Sequence, residues 1–216
     1  MIDGPRIPPA SGGRAKNLVV LLHGYGADGD DLIDIGRYLA PVLPETAFVS
    51  PHAPDPCAPF GRQWFPLAGL DPHRLYRDVS NAAPVLDTFL DAELARHELS
   101  DKELALVGFS QGTMLALHVA LRRSGSVAGV VGFSGLLAGP ERLPGEMKCA
   151  PPILLVHGDA DTMVPAMALN AAVRALGDAG VAVEWHLRRG LRHGIDGPGL
   201  ELAAAFLARE LGGSGV

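Results

Sequence analysis

Hydrophobic positions divide the chain into short apolar runs and longer stretches with a helical period. Residues 18–22 form the continuous run Leu-Val-Val-Leu-Leu, which is typical of a strand buried on both faces. Comparable patterns predict further strands at 46–50, 103–107, 127–133, 153–156 and 181–187. Apolar residues at helical spacing predict helices at 30–40, 72–98, 111–123, 166–176 and 199–211. Strands and helices therefore alternate along the sequence.

This alternation predicts an α/β fold, with a mostly parallel sheet covered by helices on both faces. In such a sheet, ligands bind at the carboxyl ends of the strands. A length of 216 residues fits one domain over 1–216. We expect a partly irregular segment at 1–16 and a flexible Gly/Ser-rich tail at 212–216.

Two segments depart from regular periods. Pro84 interrupts the helical stretch 72–98, which predicts two helices or one helix kinked there. Segment 51–70 contains five prolines and shows neither the helical nor the strand period. Long irregular segments in compact domains are usually functional, so we expect 51–70 to be a lid-like substrate loop.

Composition and charge exclude several classes of protein. Hydrophobic residues make up 48% of the chain and charged residues 19%, a balance typical of a globular core rather than of disorder. A net charge of −6, without a basic stripe, argues against nucleic acid as a partner. No apolar run approaches the roughly 20 residues that span a bilayer, and the start lacks a signal-peptide pattern. We expect a cytoplasmic protein without integral membrane association, and we expect Cys57 and Cys149 to be free thiols.

Residues 108–112 read Gly-Phe-Ser-Gln-Gly, the G-x-S-x-G pattern that exposes a nucleophilic serine on a sharp turn. An apolar strand precedes the pattern and a helical stretch follows it directly, which is the context that α/β-hydrolases require. The alternative is a tight turn without chemistry. The context favours Ser110 as a nucleophile.

A serine nucleophile needs a base, and the base needs an acid that orients it. Two acids, Asp159 and Asp161, follow the strand 153–156, and His193 lies in a short Gly-flanked loop after the last strand. The chain order Ser, Asp, His is that of α/β-hydrolases. We favour Asp161, because the acid must lie beyond the turn that Gly158 begins, and Asp159 then serves as a loop or capping acid.

The oxyanion that forms on attack needs backbone N–H donors. One candidate is the N–H of Gln111, and the other is the N–H of Tyr25 in the Gly-flanked loop after strand 18–22. The alternative for that loop is a simple strand-to-helix turn. His23, His118 and His157 lie at strand ends or on a helix, where a structural histidine is expected. This chemistry requires no metal and no cofactor.

Apolar residues from several predicted strand-end loops are expected to line a slot for an acyl chain. They are Trp64, Phe65, Leu67, Leu70, Leu136, Met163 and Val164. The alternative is that Trp64 and Phe65 only cap the core. The short, proline-stiffened loop favours acyl chains of about four to eight carbons. Arg188, Arg189 and Arg192 either recognise an acidic substrate group or form a solvated loop.

Four motifs together resemble the phospholipase/carboxylesterase family, which includes the acyl-protein thioesterases. They are Leu-Leu-His-Gly-Tyr-Gly at 21–26, Gly-Phe-Ser-Gln-Gly at 108–112, His-Gly-Asp-Ala-Asp-Thr-Met-Val-Pro at 157–165 and Arg-His-Gly at 192–194. The resemblance spans about 18–207, and 61–65 resembles the substrate-loop segment of the family. It implies a single-domain α/β-hydrolase with a triad of Ser110, Asp161 and His193, and with oxyanion donors at Tyr25 and Gln111.

Two positions depart from the eukaryotic thioesterases of that family. Those proteins commonly carry an acid where this chain has Ala27, and Trp-Phe-Asp where it has Trp-Phe-Pro at 64–66. The departures argue against protein thioesters as substrates. The chain is more similar to bacterial carboxylesterases.

Several functions fit these observations to different degrees. The favoured one is hydrolysis of carboxylic esters through a Ser-His-Asp acyl-enzyme, with a small-molecule ester or thioester as the expected substrate. Lysophospholipase and acyl-protein thioesterase activities are alternatives within the fold. A non-catalytic ligand-binding protein is the alternative from another class, and the complete triad argues against it. A dienelactone-hydrolase-like enzyme would have cysteine in place of Ser110. A homodimer is compatible with the sequence, which does not determine the oligomeric state.

Overall fold

The computed structural model describes residues 2–67, 69 and 71–212. The strands are β1 Arg6–Ile7, β2 Asn17–Leu22, β3 Thr46–Val49, β4 Asp55–Pro56, β5 Arg62–Gln63, β6 Leu104–Phe109, β7 Gly129–Phe133, β8 Ile153–Gly158 and β9 Val183–Arg188. The helices are α1 Gly29–Leu39, α2 Pro72–His97, α3 Gln111–Ala120, α4 Leu143–Glu146, α5 Met167–Asp178 and α6 Gly197–Gly212.

Seven of the strands form one sheet in the order β1-β3-β2-β6-β7-β8-β9. All neighbouring pairs are parallel except β1 with β3, which is antiparallel. In the central pair, Val20 of β2 is in register with Leu106 of β6. The predicted α/β class with a mostly parallel sheet is confirmed.

Side chains of the central strands alternate between two hydrophobic layers, as the two-residue period of a strand requires. Val20 and Leu106 belong to a layer shared with α2, α3 and α5. Their neighbours Val19 and Val107 belong to the opposite layer, with α1 and α6. Both faces of the sheet are therefore covered by helices, which explains the uninterrupted apolar strand sequences.

The structure adds detail to two expectations about local structure and corrects a third. Helix α2 is one helix through Pro84, which decides between the two alternatives, because its buried stripe continues past the proline from Leu75 to Leu94. Segment 51–70 is not wholly irregular, since β4 and β5 pair there as a small antiparallel sheet. Within 1–16, the edge strand β1 adds to the main sheet.

Other predicted segments keep their type with shifted bounds. Helix α6 ends at Gly212, and the rest of the predicted tail lies outside the described residues. Both cysteines are free, as expected. Within the described ranges, no helix combines the length and the hydropathy needed to cross a bilayer.

Candidate active site

The expected nucleophile lies on a strained turn between β6 and α3. Ser110 has φ 53° and ψ −114°, a conformation that L residues rarely adopt and that is often found at functional sites. The turn brings α3 so close to β2 that a Cβ added to Gly112 would lie 1.9 Å from the Leu22 carbonyl oxygen. An added Cβ on Gly108 would lie 2.5 Å from the backbone nitrogen of Thr113. Both glycines of the motif are therefore required by close backbone approach.

The side chains of Ser110, His193 and Asp161 form one hydrogen-bonded chain. His193 Nε2 lies 3.0 Å from Ser110 Oγ, and His193 Nδ1 lies 2.7 Å from Asp161 Oδ2. The ring of Phe109 packs against the imidazole, with 5.0 Å between ring centroids. An imidazole held this way can accept the serine proton on one nitrogen while the carboxylate orients the other.

Asp161 is fixed by two further hydrogen bonds. Its Oδ1 accepts from the backbone N–H groups of Met163, at 2.8 Å, and Val164, at 2.9 Å. Burial alone would raise the pKa of this carboxyl, but the hydrogen bonds from His193 and from these two N–H groups outweigh it. The pKa therefore lies below its ordinary value. The acid is held ionised, as an orienting carboxylate must be.

Asp159 lies apart from this hydrogen-bonded chain. The residue is exposed, and its Oδ1 accepts a hydrogen bond of 2.6 Å from the backbone N–H of Gly190. Asp159 thus joins the loop after β8 to the turn after β9. Between the two acids considered from sequence, only Asp161 contacts His193.

The two expected oxyanion donors lie close to Ser110 in different elements. Gln111 directly follows Ser110 and begins α3, whereas Tyr25 lies in the loop after β2. A Cβ added to the neighbouring Gly24 would lie 3.3 Å from Ser110 Cβ, so this loop passes against the nucleophile. Neither the Tyr25 nor the Gln111 N–H donates a hydrogen bond to any residue within the described ranges. Both donors are free to bind a substrate oxygen.

The side chain of Gln111, unlike its N–H group, binds the backbone of segment 51–70. Its Oε1 accepts from the Trp64 N–H and its Nε2 donates to the Phe65 carbonyl, both at 2.8 Å. Through these two hydrogen bonds, the side-chain amide of Gln111 fixes the backbone of residues 64–65 to the start of α3. The Trp64 indole donates a further hydrogen bond of 2.9 Å to the His23 carbonyl.

The predicted slot residues do not all lie together. Trp64 and Phe65 are only 2% exposed and belong to the larger core layer, which fits the alternative that they cap the core. Val164 is also buried, whereas Met163 is 66% exposed. Leu67 packs at the edge of the same layer, as does Leu136. Leu70 lies outside the described residues.

Leu136 opens onto an apolar cavity of about 250 Å³. The cavity lies between the start of α2, the loop after β7 and the start of α5, and Leu75, Leu137, Ala168 and Ala172 are among its lining residues. The loop passes the nucleophile, because a Cβ added to Gly135 would lie 3.0 Å from the Ser110 carbonyl oxygen. The loop after β7 thus runs from Gly135, which lies against the backbone of Ser110, to Leu136, which lines the cavity.

Sequence reasoning missed Ser134, which helps to hold the site, and it expected His157 only as a structural histidine. Ser134 follows β7, has φ 48° and donates from Oγ to the carbonyl of Gly194, at 3.3 Å, beside His193. His157 Nε2 donates to the Val164 carbonyl at 2.8 Å and lies 3.4 Å from Asp161 Oδ2. Their positions in the sequence could have indicated this role, since both residues lie at the ends of strands, at the sheet edge that carries Ser110.

Two remaining polar groups lie outside this constellation. Arg188 is paired with Asp196, while Arg189 and Arg192 are exposed. In the described part of the chain, the side chains of Asp28, Asp30 and His52 bring potential metal-binding atoms within 4.8 Å of one another. Asp28 caps α1 and His52 Nδ1 accepts from Gly29, so these atoms already serve the helix start.

Comparison with known proteins agrees with the fold and the motifs. The phospholipase/carboxylesterase family model matches residues 8–211. The esterase YpfH of Escherichia coli is 30% identical over 194 residues, which cover 89% of this chain and 82% of that protein. Acyl-protein thioesterase 1 of Saccharomyces cerevisiae is 26% identical, with 91% of this chain and 94% of that protein covered. The crystal structure of esterase PE8 superposes with a TM-score of 0.93 at 42% identity, covering 97% of this chain and 99% of that one.

The fold, the motifs and the family match together define an α/β-hydrolase. The chain belongs to the phospholipase/carboxylesterase family and is a carboxylic ester hydrolase, which confirms the resemblance inferred from its motifs.

Proposed function

We propose that this enzyme hydrolyses carboxylic esters of short to medium acyl chains through an acyl-enzyme on Ser110. His193 is the general base and Asp161 is the orienting acid. The observation that carries the proposal is the hydrogen-bonded chain from Ser110 Oγ through His193 to Asp161, with contacts of 3.0 and 2.7 Å. An esterase relative and an esterase structure support the same reaction class.

In the proposed first step, Ser110 Oγ attacks the ester carbonyl carbon while its proton moves to His193 Nε2. The carbonyl oxygen becomes an oxyanion, which the N–H groups of Tyr25 and Gln111 stabilise. His193 then protonates the departing alcohol, leaving the acyl group on Ser110. Water repeats the sequence with His193 as base, and the carboxylic acid and the free serine are regenerated.

The proposed acyl site is the cavity next to Leu136 and Ala168. A cavity of roughly 150 Å³ holds a benzene molecule, so one of about 250 Å³ has room for on the order of ten carbon atoms. Its apolar lining suits an alkyl chain, each methylene of which contributes about 0.8 kcal/mol on burial. This volume supports chains of about four to eight carbons and disfavours a palmitoyl group of sixteen.

Thioester and lysophospholipid hydrolysis are the competing proposals within this reaction class. The yeast relative is an acyl-protein thioesterase, and the same nucleophile would attack a thioester. The size of the acyl cavity is the reason to prefer shorter esters over long-chain protein thioesters or lysophospholipids.

Kinetics on one panel of substrates tests the proposal. Rates are measured for p-nitrophenyl esters of two to sixteen carbons, for matched acyl thioesters and for a lysophospholipid, with wild type and Ser110→Ala. We expect a maximum at four to eight carbons and a loss in kcat on the order of 10⁴-fold in Ser110→Ala. Activity of Ser110→Ala within tenfold of wild type would contradict the mechanism. A maximum at sixteen carbons, or on the lysophospholipid, would contradict the substrate class.

A further inference from the structure

The peptide unit that carries the proposed Tyr25 donor is held by the side chain of His23. That unit consists of the Gly24 carbonyl and the Tyr25 N–H. His23 Nδ1 lies 2.8 Å from the Gly24 carbonyl oxygen, which accepts its hydrogen bond. A trans peptide is planar, with its C=O and N–H pointing in opposite directions. Holding the Gly24 oxygen on one side therefore aims the Tyr25 N–H to the other.

The hydrogen bond requires one tautomer of His23, and a second contact selects it. The backbone N–H of Ala53 donates to His23 Nε2 at 3.0 Å, so Nε2 carries a lone pair and Nδ1 carries the proton. His23 is fully buried, and burial lowers its pKa despite the hydrogen bond to Gly24. The neutral ring, which makes both contacts, therefore persists to a lower pH than an exposed imidazole would allow.

The same loop is held at two further points by segment 51–70. Trp64 Nε1 donates to the His23 carbonyl at 2.9 Å, and its ring packs against the imidazole with 5.3 Å between centroids. On the other side of Tyr25, the Gly26 N–H donates to the Arg62 carbonyl at 2.9 Å. The peptide units on both sides of Gly24–Tyr25 are thus also restrained.

We propose that His23 is a positioning residue, which acts through the Gly24–Tyr25 peptide to keep the Tyr25 N–H aimed at the substrate oxyanion. The inference rests on the proposed function, because it assigns the Tyr25 N–H as an oxyanion donor. The same Gly24 oxygen also accepts a longer hydrogen bond of 3.3 Å from the Ala27 N–H. Without the shorter bond to His23, this weaker bond is the only direct restraint on the Gly24 oxygen, and the peptide can rotate more easily. Trp64 restrains the same loop through its hydrogen bond to the His23 carbonyl.

Two substitutions test the roles of the two ring nitrogens of His23 separately. His23→Asn keeps an amide N–H near the position of Nδ1 and loses the acceptor for Ala53, whereas His23→Gln keeps a polar group near Nε2 and loses the donor to Gly24. We expect His23→Gln to lower kcat on p-nitrophenyl butyrate by about 10- to 100-fold with KM changed less than about threefold. We expect His23→Asn to retain kcat within about fivefold of wild type.

Each outcome of this experiment decides the inference. Equal kcat values for the two variants, or an effect confined to KM, would overturn the role of His23 while leaving the triad untouched. If neither variant folds, Trp64→Phe replaces them, because it removes one N–H and keeps a ring. A kcat reduced at least threefold at unchanged KM would then support the inference, and an unchanged kcat would overturn it. If hydrolysis by the wild-type protein does not depend on Ser110, the proposed function is overturned, and this inference falls with it.

Discussion

His193 Nε2 lies 3.0 Å from Ser110 Oγ, although 83 positions separate the two residues in the chain. The sheet creates this proximity, since β6 and β8 run parallel beside β7 and all end at the same edge. Ser110 leaves the end of β6, Asp161 follows β8 and His193 follows β9. The parallel order of the strands is thus what converts distant sequence positions into one site.

The identity of the acid can be tested by paired substitutions. Asp161→Asn should lower kcat by about 10³- to 10⁴-fold, because the amide no longer stabilises the imidazolium or selects its tautomer. Asp159→Asn should change kcat by less than about fivefold, since Asp159 bonds only the loop N–H of Gly190. Steady-state kinetics of both variants checks this, and the reverse order would move the acid to Asp159.

The nucleophile turn should be intolerant of even one methyl group. Gly112→Ala would place a Cβ 1.9 Å from the Leu22 carbonyl oxygen, so we expect a loss of more than about 2 kcal/mol in the free energy of unfolding. Gly177→Ala in α5 is the matched control, because nothing lies within 4 Å of its added Cβ. It should stabilise the protein by about 0.5–1 kcal/mol. Urea unfolding of both variants measures the difference, and equal stabilities would refute the close approach.

His118 should make the folded protein less stable in mild acid. Burial, helped by Arg122, lowers the pKa of His118 to about 4, and its Nδ1 has no partner among the described residues. The unfolded chain takes up this proton below pH of about 6.5, but the folded protein does not until near pH 4. The free energy of unfolding should therefore fall as pH drops through this window, by at most on the order of 3 kcal/mol.

The variant His118→Gln is the control for this pH dependence of the free energy of unfolding. It removes the titrating group at nearly the same volume, so its stability should change less between pH 6.5 and 5 than that of wild type. Urea unfolding at several pH values makes the comparison. If the free energy of unfolding falls equally with pH in both proteins, groups other than His118 cause the loss of stability in acid.

The cavity proposed as the acyl site should set the preferred chain length. Ala168→Phe narrows the cavity and should shift the maximum of kcat/KM to shorter p-nitrophenyl esters by about two carbons or more. Asn170→Phe places the same side chain on an exposed position of α5 outside the cavity lining, and it should leave the profile unchanged. If both variants keep the wild-type profile, the acyl chain binds elsewhere.

Much of the fold could be predicted because its central strands are buried on both faces. The run 18–22 and the motif at 108–112 each signal their structure locally, through apolar continuity and through glycines at a sharp turn. Chain order then indicated which acid and which histidine to consider at the strand ends. These features depend on neighbouring residues, which sequence patterns report well.

Other features depend on contacts between distant segments. Nothing local predicts that Gln111 binds the backbone of Trp64, 47 positions away, and so draws that indole into the core. Strand β1 is too short to show a period and exists because β3 offers an open edge. Helix α2 continues through Pro84 because its buried stripe packs on both sides of the proline.

Covalent labelling of the reactive serine is the most direct way to locate the nucleophile. The protein is treated with a fluorophosphonate, which phosphonylates an activated serine, and the labelled peptide is identified by mass spectrometry. We predict one label per chain, on Ser110, with loss of ester hydrolysis in proportion to labelling and no label on Ser110→Ala. Stoichiometric labelling at another residue, or full hydrolysis by a protein labelled on Ser110, would contradict the assignment of Ser110 as the nucleophile.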